Sequence, residues 1–326
     1  MASAHSDVTV VIPGPVHPYV NERIAREFSL IVLPTPDLSL MTPEQIASVR
    51  AIASYQLVPT PFIDAFDRLE ILSNFGVGYD GVDARHCAAK GIMVTHTPDI
   101  LTEEVADTTV GLLLNTAREF NRAEKWLREG KWESIGNYRF SAATLRGRHI
   151  GIFGMGRIGL AVAKRLKAMG LKISYHNRRQ APDVPYDYYP TLKDLATAVD
   201  TLISVVPGGP STDRIVNAEI LAALGPDGIF INIGRGSTVD EDALIAALTD
   251  GTILAAGLDV FADEPRVRPE LIALENTVLL PHVGSASFQT RRAMANLTVD
   301  NLVSWFDGNG PLTPVPETKH LPHPKG

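Results

Sequence analysis

The sequence predicts an α/β protein made of two doubly wound parallel-sheet domains with a cleft between them. Three observations carry that expectation. Short β-branched runs alternate with amphipathic stretches, the pattern of parallel strands joined by crossover helices. This alternation occurs as two series, separated by one long helical pattern over residues 103–130. The length of 326 residues exceeds one average domain and suffices for two cores.

The first series places strands at 8–12, 30–33, 50–54, 69–74 and 92–95, with helical stretches at 21–28, at 43–49, from 61 onward and at 84–89. In the connector, Val105, Thr109, Leu112, Leu113 and Thr116 recur at helical spacing. The second series places strands at 149–153, 173–175, 201–205, 229–233, 256–260 and 278–280. A last helix, 289–306, carries Met294, Leu297, Leu302 and Phe306 on an apolar face and is expected to return the chain to the first domain. The expected division is therefore 1–102 with 287–326, and 103–286.

Composition excludes several classes. Hydrophobic residues at 45% and charged residues at 21% are ordinary globular values. A net charge of −7 argues against nucleic acid as a partner, because phosphate-backbone contact needs a basic surface. The single cysteine, Cys87, lies in an ordinary helical stretch and fits a reducing compartment. Residues 1–8 lack the basic start and apolar run of a secretory signal, and no apolar stretch reaches membrane-spanning length, so no membrane partner and a cytoplasmic location are expected. The tail, 311–326, is rich in proline and polar residues and is expected to be extended or mobile, with His320 and His323 as bystanders.

Between the strand ending at Phe153 and the helix beginning near Ile158 runs Gly154-Met155-Gly156-Arg157-Ile158-Gly159, a G-x-G-x-x-G pattern. Gly154 permits a tight turn, Gly156 lets backbone approach a pyrophosphate, and Gly159 lets the helix pack on the strand. This is the signature of a Rossmann-like dinucleotide site. The next strand ends at Tyr175-His176-Asn177-Arg178-Arg179, where an NAD enzyme would place an acid on the ribose hydroxyls. No acid is there. Asn177 can bond a phosphate oxygen, and Arg178 and Arg179 can neutralise a 2′-phosphate, so NADP(H) is expected as cofactor with NAD(H) weaker.

In an open parallel sheet, ligands bind beyond the carboxyl ends of the strands. Among the nine histidines, His149 begins its strand and His176 belongs to the phosphate turn, whereas His282 follows 278–280 at a strand's carboxyl end, with His96 as its rival. Arg235 and Glu264 share the address of His282. Together the three supply a cation for a carboxylate, a proton donor for a carbonyl oxygen, and an acid to orient that donor. No metal site is expected.

Several ordered motifs join this set: Phe75-Gly76-Val77-Gly78-Tyr79-Asp80, the glycine loop, Ile233-Gly234-Arg235-Gly236, Asp263-Glu264-Pro265 and Pro281-His282-Val283-Gly284-Ser285. Through them the chain resembles the D-isomer-specific 2-hydroxyacid dehydrogenases over almost its entire length. Within that family, 173–175, 278–282 and 312–315 look closest to NADPH-dependent glyoxylate/hydroxypyruvate reductases and to hydroxyphenylpyruvate reductases. The resemblance implies reduction of small 2-oxo acids to 2-hydroxy acids, with Arg235, Glu264 and His282 as the catalytic arginine, glutamate and histidine. It also implies Val77 and Gly78 amides on the substrate carboxylate, Asp259 beside the nicotinamide with Ile233 and Gly284 also on the cofactor, and Val206, Pro207 and Thr212 flanking the adenosine. It further implies a homodimer through the long helical region, where Trp132, Tyr138 or Phe140 either reach the neighbouring site or pack in the core. Leu57 and Val58 are expected to form an apolar wall for the substrate. A dinucleotide-sensing, corepressor-like binding protein is the alternative of another class.

Overall fold

The computed structural model describes residues 5–323, and the chain divides into two compact units, 1–101 with 287–326 and 102–286. In the first unit, strands β1 (His5–Pro13), β2 (Phe28–Leu33), β3 (Val49–Ser54), β4 (Ile71–Asn74) and β5 (Met93–Thr95) form one parallel sheet in the order β2-β1-β3-β4-β5. Val10, Val11, Ile52 and Leu72 are fully buried, as expected where helices cover both faces of a parallel sheet. The helix Phe288–Phe306 belongs to this unit and buries Met294, Leu302 and Trp305.

In the second unit, β6 (His149–Phe153), β7 (Lys172–His176), β8 (Asp187–Tyr189), β9 (Thr201–Ser204), β10 (Ile229–Asn232), β11 (Ala255–Leu258) and β12 (Thr277–Leu279) form a seven-stranded parallel sheet. Its order is β12-β11-β10-β9-β6-β7-β8. Counted within the unit, this is the doubly wound Rossmann order, with the reversal between β6 and β9. The loops after β6, β9, β10, β11 and β12 are thereby gathered at one edge of the sheet.

Three expectations are corrected. β8 is absent from the sequence reading because Asp187-Tyr188-Tyr189 is a short, partly exposed edge strand without an apolar run. The connector is not one helix: Thr102–Arg118 and Phe120–Arg128 are separated by Glu119 in the left-handed region, at φ 54°. The Glu119 carboxylate accepts from Tyr138 Oη at 2.7 Å and pairs with Arg139 at 2.6 Å, long-range bonds that hold a break no glycine or proline announces. The tail is ordered through His323: Val315 and Thr318 are buried, Thr95 bridges to Pro314, and His323 Nε2 lies 2.8 Å from the Trp305 carbonyl. Residues 324–326 of that tail lie outside the described residues. No described helix is long and apolar enough to cross a membrane.

Candidate active site

The glycine loop leaves β6 at Gly154, whose φ of 104° suits only glycine. A Cβ on Gly159 would stand 2.2 Å from the Gly154 carbonyl oxygen, so the helix Arg157–Ala168 can pack this closely only with glycine there. Nothing lies within 4 Å of the position of a Cβ on Gly156, and no side chain caps the helix. Open space in front of an uncapped helix start suits the pyrophosphate of a dinucleotide. Met155 is buried, Ile158 is half-buried and Arg157 is exposed.

Asn177 Oδ1 accepts from the Met155 amide at 2.7 Å, which fixes the loop to the end of β7 and leaves Nδ2 able to donate to a phosphate oxygen. Arg178 and Arg179 follow it, both exposed, and neither pairs with a described acid. Their charge is available to a ligand. His176 is a strand residue, tied through Nδ1 to the Tyr189 carbonyl of β8 at 2.9 Å. After β9, Val206 packs against Gly154, and the Thr212 hydroxyl donates to the Pro207 carbonyl at 2.8 Å, which closes the turn.

His282, Glu264 and Arg235 follow β12, β11 and β10. His282 Nδ1 lies 2.6 Å from Glu264 Oε2, and the other carboxylate oxygen accepts from the Phe261 amide at 3.0 Å. Burial pushes the Glu264 carboxyl up, but the hydrogen bond from His282, the Phe261 amide and the charges of His282 and Arg235 outweigh it and hold the group below the usual range. The two side chains keep 36% and 33% of their surface exposed, and His282 Nε2 has no described partner. A pair anchored on one side and open on the other has the geometry to hold a proton and pass it on.

The backbone around Arg235 is held from beneath. Asn232, fully buried at the end of β10, donates through Nδ2 to the Arg235 carbonyl at 3.0 Å and accepts from the Gly234 amide at 3.1 Å. A Cβ on Gly236 would fall 1.9 Å from the Phe261 carbonyl carbon, so the Arg235 and Glu264 loops touch backbone to backbone. The Asp259 carboxylate, 1% exposed, accepts from the Val283 and Gly284 amides at 2.7 and 2.8 Å. Burial raises its pKa despite those amides. Gly284 admits this contact, since its Cβ would lie 2.9 Å from Asp259 Oδ2, and Ile233 closes the same spot. Asn232 escaped the sequence reading; a polar residue ending an apolar strand is the signal that could have found it.

In the first unit, Val77 and Gly78 form a loop after β4. His96 Nδ1 lies 2.9 Å from the Val77 carbonyl, where His282 Nδ1 faces a carboxylate. Leu57 is 65% exposed and available as a wall, whereas Val58 is buried in the core of this unit and cannot serve as one. Of the three aromatics, Phe140 and Trp132 are exposed, and Tyr138 packs on Trp126.

A seven-stranded Rossmann sheet that gathers a glycine loop, an arginine and a histidine–glutamate pair at one edge defines a dinucleotide-dependent oxidoreductase fold. The chain belongs to the D-isomer specific 2-hydroxyacid dehydrogenases: residues 110–284 match that family's NAD binding domain. It is 43% identical over 311 residues to glyoxylate/hydroxypyruvate reductase A of Arabidopsis thaliana, covering 94% of this chain and 99% of that one. Hydroxyphenylpyruvate reductase of Plectranthus scutellarioides is 42% identical over 311 residues, with the same coverage of 94% and 99%. Among solved structures, the NADPH-dependent glyoxylate/hydroxypyruvate reductase of Sinorhizobium meliloti, in complex with NADP and malonate, superposes with a TM-score of 0.94 at 53% identity, covering 96% of this chain and 98% of that one.

Proposed function

We propose that the protein is an NADPH-dependent reductase of small 2-oxo acids, glyoxylate and hydroxypyruvate, giving the 2-hydroxy acids. The observation that carries this reading is the His282–Glu264 pair, 2.6 Å apart, with no described partner on Nε2. The Arabidopsis and Sinorhizobium relatives support the substrate class, and the latter supports NADP.

Bound on the glycine loop, a reduced nicotinamide supplies the hydride. Val77 and Gly78 amides take the substrate carboxylate, and Arg235 binds carboxylate and polarises the carbonyl. His282 gives its Nε2 proton to the carbonyl oxygen as negative charge develops there, while Glu264 keeps the imidazolium oriented. Asp259, with Ile233 and Gly284, lines the nicotinamide position. Asn177 orders the loop, Arg178 and Arg179 take the 2′-phosphate, and Val206, Pro207 and Thr212 flank the adenosine.

The reading is tested by following the reduced-nicotinamide absorbance with NADPH and glyoxylate, hydroxypyruvate or phenylpyruvate. Turnover with the first two supports it, and none with any 2-oxo acid refutes it. The Plectranthus relative and the exposed Leu57 favour hydroxyphenylpyruvate as the second substrate reading, which a higher kcat/KM for the aromatic acid would establish. Exposed Trp132, Ile135 and Phe140, the last 99% exposed, support a homodimer, which sedimentation tests. The compartment proposed is the cytoplasm.

A further inference from the structure

We propose that His96 is a positioning residue for the carboxylate-binding amides, and that the C-terminal tail holds it in place. The inference rests on the assignment of Val77 and Gly78 to the substrate carboxylate and adds what makes those amides fit for it.

Three consecutive carbonyls of the loop turn inward. Gly76 O accepts from the Thr97 amide at 2.8 Å and from Asn74 Nδ2 at 3.2 Å. Val77 O lies 2.9 Å from His96 Nδ1, and Gly78 O accepts from Asn74 Nδ2 at 3.0 Å. A carbonyl oxygen only accepts, so Nδ1 must carry the proton and donate. In a trans peptide the N–H points opposite the C=O. The Val77 and Gly78 amides are therefore turned away from these bonds, and neither has a described partner. The peptide whose carbonyl His96 engages is the one whose N–H belongs to Gly78. Donation to that carbonyl orients this N–H and strengthens it as a donor through the polarisation that links consecutive hydrogen bonds.

The imidazole is fixed by the tail. His96 donates its backbone N–H to Thr313 O at 3.1 Å, and its own carbonyl accepts from Thr313 Oγ1 at 2.6 Å. Tyr79 meets the His96 ring edge-on at 5.5 Å and donates its hydroxyl to Glu317 Oε2 at 3.0 Å. Ring orientation and backbone position are thus both set by residues 313–317.

The test compares His96→Met, which keeps reach without a donor, with His96→Gln, which keeps a donor. His96→Met is expected to raise KM for glyoxylate and the Kd of oxalate, measured by calorimetry, by roughly three- to tenfold, the worth of one ordinary hydrogen bond. kcat and NADPH affinity should stand, and His96→Gln should restore both constants to within about twofold of the parent. If His96→Met does not fold, the isosteric pair His96→Gln and His96→Glu gives the same comparison of donor against acceptor. Unchanged KM and oxalate affinity, equal impairment of donor and non-donor variants, or a fall in kcat at constant KM overturns the proposal, as does a parent protein that binds no oxalate. A parent that binds oxalate with the expected His96 dependence but reduces no 2-oxo acid refutes the reductase reading and leaves this one standing.

Discussion

Replacing Glu264 by glutamine removes the charge from the proton-donor pair and keeps its size. The consequence follows from the two donors that face the carboxylate: His282 Nδ1 at 2.6 Å and the Phe261 amide at 3.0 Å. Glutamine has one acceptor oxygen, so one donor meets an NH₂ instead. A charge-assisted bond is worth about 1 kcal/mol more than a neutral one, and an unsatisfied donor costs about 1 kcal/mol at a site water can partly reach. The sum of about 2 kcal/mol corresponds to a fall of roughly thirtyfold in the reduction rate. The sign with pH is equally definite. Glu264 is held below the ordinary carboxylate value, so its charge supports the pair above that value and is lost as pH falls through the lowered one. Across neutral pH that charge is constant. Steady-state NADPH oxidation with glyoxylate over a pH series measures both effects. A variant with near-parental turnover across that series refutes the role given to Glu264.

The double substitution Arg178→Ala and Arg179→Ala should raise KM for NADPH by ten- to a hundredfold, as charge-assisted phosphate bonds are lost, and leave NADH within a few-fold; parallel titrations of the two cofactors decide it. Asp259→Asn leaves one of the Val283 and Gly284 amides facing an NH₂ and should lower stability by about 1–3 kcal/mol in thermal unfolding. Because burial raises the Asp259 pKa, ionising it opposes folding: stability falls as pH rises from the ordinary carboxylate value through the raised one, and the asparagine variant should lack that slope. Gly236→Ala puts a methyl 1.9 Å from the Phe261 carbonyl carbon, so the Arg235 and Glu264 loops must part; kcat/KM should drop at least tenfold while isolated NADPH binding changes less.

The strands were legible where burial on both faces demands a run of β-branched residues, as in Val8–Ile12, or a largely apolar run, as in Ile229–Ile233. The candidate site was legible because Arg235, Glu264 and His282 each follow such a strand. What escaped depends on partners distant in sequence. Glu119 breaks a helix through Tyr138 and Arg139, and β8 exists by pairing with β7. The tail looked mobile from its prolines, yet Val315 and Thr318 are buried in the first unit, a tertiary fact that no local propensity carries.

The most informative feature hidden from sequence is the backbone of His282, at φ 53°. A left-handed conformation costs a residue with a Cβ roughly 1–2 kcal/mol and persists only where surrounding bonds impose it. Here most of the bonds come from one residue: the Asp259 carbonyl accepts the His282 amide at 2.9 Å, an amide shared with the Leu280 carbonyl at 3.0 Å, and the Asp259 carboxylate accepts the next two amides. Asp259 is buried and no described lysine or arginine pairs with its carboxylate, a poor arrangement for stability alone. Its cost is understandable if the turn it enforces is what aims the imidazole: Nδ1 at Glu264, Nε2 outward. The strained histidine and the buried carboxylate are then one device, and loosening Asp259 should release His282 into ordinary backbone geometry and uncouple it from Glu264.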